Sequence, residues 1–337
     1  MIGSQLAKQI VQFIVFLSIG IALAWFSWAQ IPADKMESFT NAIKNAQFWL
    51  FIPVFFVLSA SHWLRAYRWK LLIQSLQYRP SLLNTFFAVM IGYLANLAVP
   101  RLGEVLKCTL LAKYEKVPAD KLIGTIVVER AFDVLCLLLV FILALVFQYN
   151  IVFQFAQKYV WEPVTAKWQA MNITQAAISI TLCVLVFFAL AWLAKRYVKN
   201  GFVVRLKSIF QNIGKGITSV KTLQNPIGFI ASTLGIWVLY VAGTFVGFYA
   251  TQGTEHLGLP VAFTALAFGS VGMIVTPGGI GAYAIFLALA MQENGISYEL
   301  GYANGTLQWF AQFLVVLVVG VLSAAFLPII NKKHDTQ

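Results

Sequence analysis

A chain of 337 residues that is 60% hydrophobic and 11% charged, with 28 phenylalanines, is too apolar for a water-soluble domain. Several of its apolar runs exceed the roughly 18 residues that mark a membrane span, and no polar stretch is long enough for a soluble catalytic domain, so residues 1–337 are expected to form one polytopic membrane domain. The formal net charge of +12 falls between the apolar runs, where it reports membrane topology and does not point to nucleic acid.

In chain order, Lys8 precedes a first predicted crossing, Ile10–Trp28. Its Ala22-Leu-Ala24 triplet mimics a signal-peptidase site, yet the apolar run continues to Trp28, so a retained span is expected. Phe48–Leu64 is the second crossing, followed by a basic cluster of Arg65, Arg68, Lys70 and Arg79. Leu82–Ala98 is apolar but breaks at Asn96-Leu-Ala-Val-Pro-Arg-Leu-Gly-Glu104, and a full crossing there would export Arg101, Lys107, Lys113, Lys116 and Lys121. A re-entrant hairpin avoids this, turning at Pro100–Gly103 and returning as Glu104–Lys116. Leu122–Gln148 is the third crossing, with aromatic residues Phe153, Phe155, Tyr159, Trp161 and Trp168 as an outer interfacial belt, and Ala176–Ala194 the fourth. A loop rich in Lys and Arg from Lys195 to Lys221 then fixes the cytoplasmic side, and its amphipathic part, Phe202–Leu223, is expected to lie on the inner membrane surface. Ile227–Ala250 is the fifth crossing and Thr306–Leu327 the sixth. Between them, a run from about Pro260 breaks at Val275-Thr-Pro-Gly-Gly-Ile-Gly281, flanked by loops without Lys or Arg, and reads as a second re-entrant hairpin entering from outside. Both termini are expected in the cytoplasm.

The fold class is therefore all-α integral membrane, with six crossing helices and two opposed re-entrant helical hairpins. Phe48–Leu64, the first hairpin and Leu122–Gln148 recur in reversed orientation as Ile227–Ala250, the second hairpin and Thr306–Leu327. Halves of about 48–149 and 227–327 read as an inverted repeat, an arrangement that supplies two exchangeable conformations for alternating access.

Chemistry concentrates at the two breaks. Arg101, Lys107 and Arg130 stand against Glu104, Glu129 and Asp133, with Glu129 and Asp133 on one helical face at i,i+4. Ionisable groups at membrane depth are costly and point to function, here a lipid phosphate gripped by the cations while the carboxylates balance or gate them. The competing reading is a self-neutralising network that only pins the first hairpin to the next helix. Around the second break, Thr276, Pro277, Gly278, Gly279 and Gly281 permit close backbone approach and offer helix N-terminal amides, which favour anions; tight small-residue packing explains the glycines equally well. His62, His256 and His334 lie far apart and the three cysteines have no ligand spacing, so neither a metal nor another cofactor is expected.

Asn96-Leu-Ala-Val-Pro100-Arg101-Leu-Gly103-Glu104-Val-Leu-Lys107, followed by Val127-Val-Glu129-Arg130-Ala-Phe-Asp133 and then Thr276-Pro-Gly-Gly-Ile-Gly281, resembles the signature of the lysylphosphatidylglycerol synthetase/flippase transmembrane family over about residues 10–330. Larger members of that family add a C-terminal aminoacyl-transfer domain, and this chain stops at Gln337. The resemblance implies the lipid-handling half: a flippase in a bacterial-type inner membrane that moves a phospholipid or other phosphate-bearing lipid with a polar or charged headgroup, without catalysis. The implied substrate-binding residues are those of the three motifs, among them Asn96, Pro100 and Gly103. The alternatives are a membrane-embedded lipid-linked glycosyl or acyl transferase with Glu104, Glu129 or Asp133 as base, and a noncatalytic partner of a separate lipid synthetase.

Overall fold

The computed structural model describes residues 33–98, 102–162 and 223–332, together with a few isolated positions. Among these residues the chain is helical throughout. A short outer helix, α1 (Met36–Lys44), is followed by α2 (Phe51–Gln74), α3 (Leu82–Ala98), α4 (Leu102–Glu115) and α5 (Ala119–Phe147). After α6 (Tyr149–Ala156) the described chain resumes with α7 (Pro226–Phe248), α8 (Leu259–Val275), α9 (Ala282–Gln292) and α10 (Tyr298–Lys332). Four stretches are long and apolar enough to cross a membrane: Phe48–Gln74, Ala119–Phe147, Pro226–Phe248 and Tyr298–Asn331. They correspond to the second, third, fifth and sixth expected crossings. The expected crossings Ile10–Trp28 and Ala176–Ala194, and the surface helix expected over Phe202–Leu223, lie outside the described residues.

Two crossings are longer than the hydropathy pattern alone indicates. The second continues through Gln74 because no proline or glycine interrupts the chain until Pro80, so Arg65 and Arg68 are helical and buried and not part of a cytoplasmic loop. The sixth begins at Tyr298, which makes Asn304 a buried helix residue one turn before Gln308. Outward on α5, Val127, Val134, Leu138 and Ile142 form an exposed apolar stripe, the face such a helix turns to lipid.

Each broken segment folds as a helical hairpin closed by a glycine crossing. In the first, α3 and α4 approach so closely at Gly92 and Gly103 that a Cβ on Gly103 would overlap the Gly92 carbonyl. The Asn96 side chain accepts a hydrogen bond from the Gly103 N–H at 2.8 Å, satisfying an amide at the start of α4 that lipid could not. In the second, a Cβ on Gly272 would lie 2.7 Å from the Tyr283 Cα. Here Thr276 holds the turn, donating through Oγ1 to the Ile280 carbonyl at 3.0 Å and accepting from the Gly279 N–H at 3.0 Å. Gly278, Gly279 and Gly281 take φ of 62°, 73° and 72°, a left-handed region open to glycine and costly to residues with a side chain.

The hairpins are locked in by the long helices. α2 and α7 run antiparallel at the centre, with Leu64 beside Gly235 and Leu58 beside Gly243. α3 packs on α10, where Leu94 meets Gly320. α8 packs on α5, where Thr264 donates to Gln148 at 2.7 Å and Phe147 stacks on Phe263. The first helix of each hairpin thus seats against a long helix distant in sequence: α3 on α10 and α8 on α5.

Gly103→Ala is expected to lower the thermal unfolding midpoint in detergent, by an overpacking cost of about 1–3 kcal/mol. Gly124→Ala, on an open helical face with nothing within 4 Å of a new Cβ, should leave it unchanged or raise it slightly. Equal responses from the two variants would contradict the backbone-close crossing.

Candidate functional site

The centre of the molecule is a buried ion network assembled from three helices. α2 contributes Arg65 and Arg68 one turn apart, α5 contributes Glu129 and Asp133 one turn apart, and α4 contributes Lys107. Arg65 Nη1 donates to Glu129 Oε1 at 3.1 Å and to Asp133 Oδ2 at 2.7 Å. Arg68 Nη2 lies 2.7 Å from Asp133 Oδ1 and 3.5 Å from Glu129 Oε1. Lys107 Nζ completes the set, 3.0 Å from Glu129 Oε2 and 4.4 Å from the centre of the Trp69 ring. Arg68 is 0% exposed, Glu129 1% and Lys107 7%, so their charges are sustained by one another and not by water.

Three buried cations meet the buried Glu129 and the partly buried Asp133, and the cations retain donor capacity: Arg65 Nε, Arg68 Nε and Arg68 Nη1 are buried without a hydrogen-bond partner among the described residues. A second, more open pair flanks the network. Arg130 Nη2 is 3.1 Å from Glu104 Oε1, its Nη1 is 3.8 Å from Asp133 Oδ2, and the Arg130 side chain is 46% exposed.

Beside the network lies a cavity of about 550 Å³, bounded by the long helices and the tip of the second hairpin. Its charged end is formed by Arg65, Arg130 and Asp133, with Tyr93, Tyr240 and His62 around them. Arg65 Nη2 donates to the Tyr240 hydroxyl oxygen at 3.1 Å, and the His62 and Tyr93 rings lie 5.1 Å apart. The walls are apolar, including Leu58, Leu97, Leu137, Leu266 and Ile274. The far end, beside Leu50, Ala250 and Leu307, carries neutral polar groups on Thr244, Tyr283, Gln308 and Gln312. Gln308 is held there by donating to Asn304 Oδ1 at 2.8 Å, and Asn304 in turn donates to the Gly247 carbonyl at 2.9 Å. Trp309 Nε1 donates to the Gly278 carbonyl at 2.6 Å, fixing the second hairpin tip in the wall close to Leu97 of the first.

The residues expected from sequence are distributed over this arrangement in distinct positions. Arg130, Asp133 and Gly278 line the cavity, Lys107 and Glu129 lie buried in the adjacent network, and Glu104 sits on the outer side paired to Arg130. Asn96, Gly103, Thr276, Gly279 and Gly281 build the two hairpin turns. Pro100 and Arg101 lie outside the described residues, and of Pro277 only the backbone is described. Sequence reasoning missed Arg65, Arg68 and the Asn304–Gln308 pair. For Arg65 and Arg68 the available signal was continuity, since they follow an apolar run with no helix breaker between; Gln308 already lay within the expected crossing Thr306–Leu327.

Glu129→Gln leaves Arg65, Arg68 and Lys107 with one carboxylate fewer and is expected to lower unfolding free energy by about 3–5 kcal/mol. Glu104→Gln, which opens a half-exposed pair, should cost at most about 1 kcal/mol. Thermal melts of the two variants in one detergent check the order, and a larger loss from Glu104→Gln would contradict the burial argument.

Comparisons with known proteins place the chain in a family. The UPF0104 membrane protein MJ1595 of Methanocaldococcus jannaschii is similar to this chain, 24% identical over 295 residues that cover 80% of this chain and 81% of that protein. No solved structure matches the chain. The family model for the lysylphosphatidylglycerol synthase TM region matches residues 9–320, which include all four described spans up to Gly320, both hairpins and every residue of the ion network. The chain belongs to the lysylphosphatidylglycerol synthase transmembrane-region family.

Proposed function

We propose that this protein is a lipid flippase, moving a phosphate-bearing lipid across a bacterial-type inner membrane without changing it chemically, with both termini in the cytoplasm. The observation that carries the reading is the cavity: apolar walls suited to acyl chains lead to Arg65 and Arg130, two arginines whose planar donors match phosphate oxygens. An arriving phosphate competes with Asp133 for these arginines while Asp133 Oδ1 keeps its 2.7 Å contact with the buried Arg68, so one link between α2 and α5 loosens and the carboxylate stays paired. Binding energy is thereby linked to a rearrangement of helices. Lys107 and Glu129 keep the first hairpin docked, and Arg101 is proposed from the sequence alone as a further cation for a phosphate.

The reading includes six crossings, two re-entrant hairpins and an inverted repeat of halves 48–149 and 227–327. Its support is the reciprocal seating of α3 on α10 and α8 on α5 about the central α2–α7 pair, which is the packing two inverted halves would produce. The hairpin helices also fall below the ~20 residues of an ordinary span, at 17 and 14 residues in the first and 17 and 11 in the second. Exchange between the two seatings would open the cavity to each side in turn.

The test is reconstitution of the full chain into liposomes with tail-labelled lipids, following leaflet exposure and lipid mass together. Movement at constant mass is expected. A mass change would establish a transferase instead, and activity only after adding a synthetase would establish an accessory role. Arg130→Ala should slow movement about tenfold or more, the loss of a charge-assisted hydrogen bond, while its melting temperature stays near that of the parent because the pair it breaks is half-exposed. Unchanged transport in Arg130→Ala would remove the charged end of the cavity from the mechanism.

A further inference from the structure

The two ends of the cavity differ in a way that bears on the headgroup. Among the described lining residues Asp133 is the sole carboxylate, and it already holds Arg65 and Arg68 at 2.7 Å each. Counting the outer pair, Arg65, Arg68, Lys107 and Arg130 face Glu104, Glu129 and Asp133, so the charged end has one cation in excess. Leu58, which lies beside Gly243 and clusters with Ala311, is about 10 Å from Arg65 along α2 at 1.5 Å per residue, and from that level to the Leu50 end the cavity presents Thr244, Tyr283, Gln308 and Gln312 with no Asp, Glu, Lys or Arg among the described lining residues. These are neutral donors and acceptors. They are built in place: Gln308 is oriented by Asn304, and a Cβ on Gly247 would come within 2.5 Å of the Gln308 Cδ.

A buried ammonium group needs a carboxylate or several acceptors, because desolvating an unpaired charge costs far more than desolvating a hydroxyl. The cavity offers a free carboxylate at neither end. It does offer phosphate-matching cations at one end and amide and hydroxyl partners at the other, and sites built to hydrogen-bond a hydroxyl reject analogues that lack it. Resting on the translocation reading of this same cavity, we infer that the substrate class is a phosphodiester lipid whose headgroup is a neutral polyol, glycerol or a sugar, and not a lipid that ends in an amine, the aminoacylated lipid of the family's name included. The phosphate sits at Arg65 and Arg130 as the headgroup enters. The hydroxyls are then passed toward Gln312 and Gln308, so the polar group has a partner along the whole apolar passage.

The test separates binding from movement. Thermal melts of the detergent-purified full chain are measured with short-chain phosphatidylglycerol, phosphatidylinositol, phosphatidic acid, phosphatidylethanolamine and lysylphosphatidylglycerol. Phosphatidylglycerol and phosphatidylinositol are expected to raise the midpoint most, whichever of glycerol and sugar is preferred, phosphatidic acid less, and the two amine-bearing lipids least. Gln312→Leu should remove the difference between phosphatidylglycerol and phosphatidic acid while keeping their common shift, which a variant that merely failed to fold would not do. A shift with lysylphosphatidylglycerol or phosphatidylethanolamine equal to that with phosphatidylglycerol would overturn the inference, as would no shift with any lipid. Liposome assays on the same lipids then judge the other claim: a midpoint raised by phosphatidylglycerol without any lipid movement would sink the translocation reading and leave the headgroup assignment standing. Movement led by an amine-bearing lipid would do the reverse.

Discussion

Glu129 is the residue on which the central packing turns. Its two oxygens receive Arg65 and Arg68 from one crossing helix and Lys107 from the first hairpin, while the carboxylate itself is 1% exposed. None of the four charges is tolerable alone in an apolar interior, and Glu129 is shared between cations from two other helices, so its burial ties α2, α4 and α5 together as a set. Burial of this kind contributes less to net stability than well-packed apolar side chains of the same volume would. What it supplies is a unique register: a one-turn slip of any of the three helices would strand an unpaired charge.

That register carries over to the cavity. Asp133 shares the arginines of the network and also reaches the open space, so it connects an interior that cannot change without cost to a surface that a ligand can touch. The glycine crossings supply the complementary rigidity. With Gly92 against Gly103 and Gly272 against Tyr283, each hairpin is a stiff unit whose tip is held by its own Asn96 or Thr276 and not by lipid. In the proposed cycle, motion lies in how α3 seats on α10 at Leu94 and Gly320, and α8 on α5 at the Thr264 to Gln148 hydrogen bond.

Much of this was legible in the sequence, for reasons that are physical. A Pro/Gly break inside an apolar run announces backbone groups that lipid cannot satisfy, so Asn96 to Glu104 and Val275 to Gly281 could be placed as turns before any coordinates. Glu129 and Asp133 at i,i+4 declared a shared face in need of cations. The identity of those cations was not legible. Arg65 and Arg68 follow the apolar run Phe48–Leu64 directly, and loop charge counting assigns such residues to the cytoplasm, whereas the helix runs on through Gln74 and turns them inward. Only the partner helix decides between an arginine that snorkels to the interface and one that is buried, and pairing across 61 to 68 residues leaves no local periodicity. The neutral end of the cavity was hidden differently: Gln308 lies inside the expected crossing Thr306–Leu327, but its partner Asn304 falls in the expected loop until α10 is seen to start at Tyr298.

The claim that joins network, cavity and hairpins is that the passage opens to both faces of the membrane. It is tested most directly by placing a single cysteine at Gln312, inside the cavity, after replacing Cys108, Cys136 and Cys183, and adding an impermeant thiol reagent separately to each side of sealed proteoliposomes. The account predicts labelling from either side, slowed from both by saturating lipid. Labelling from one side alone, under every lipid condition, would contradict it.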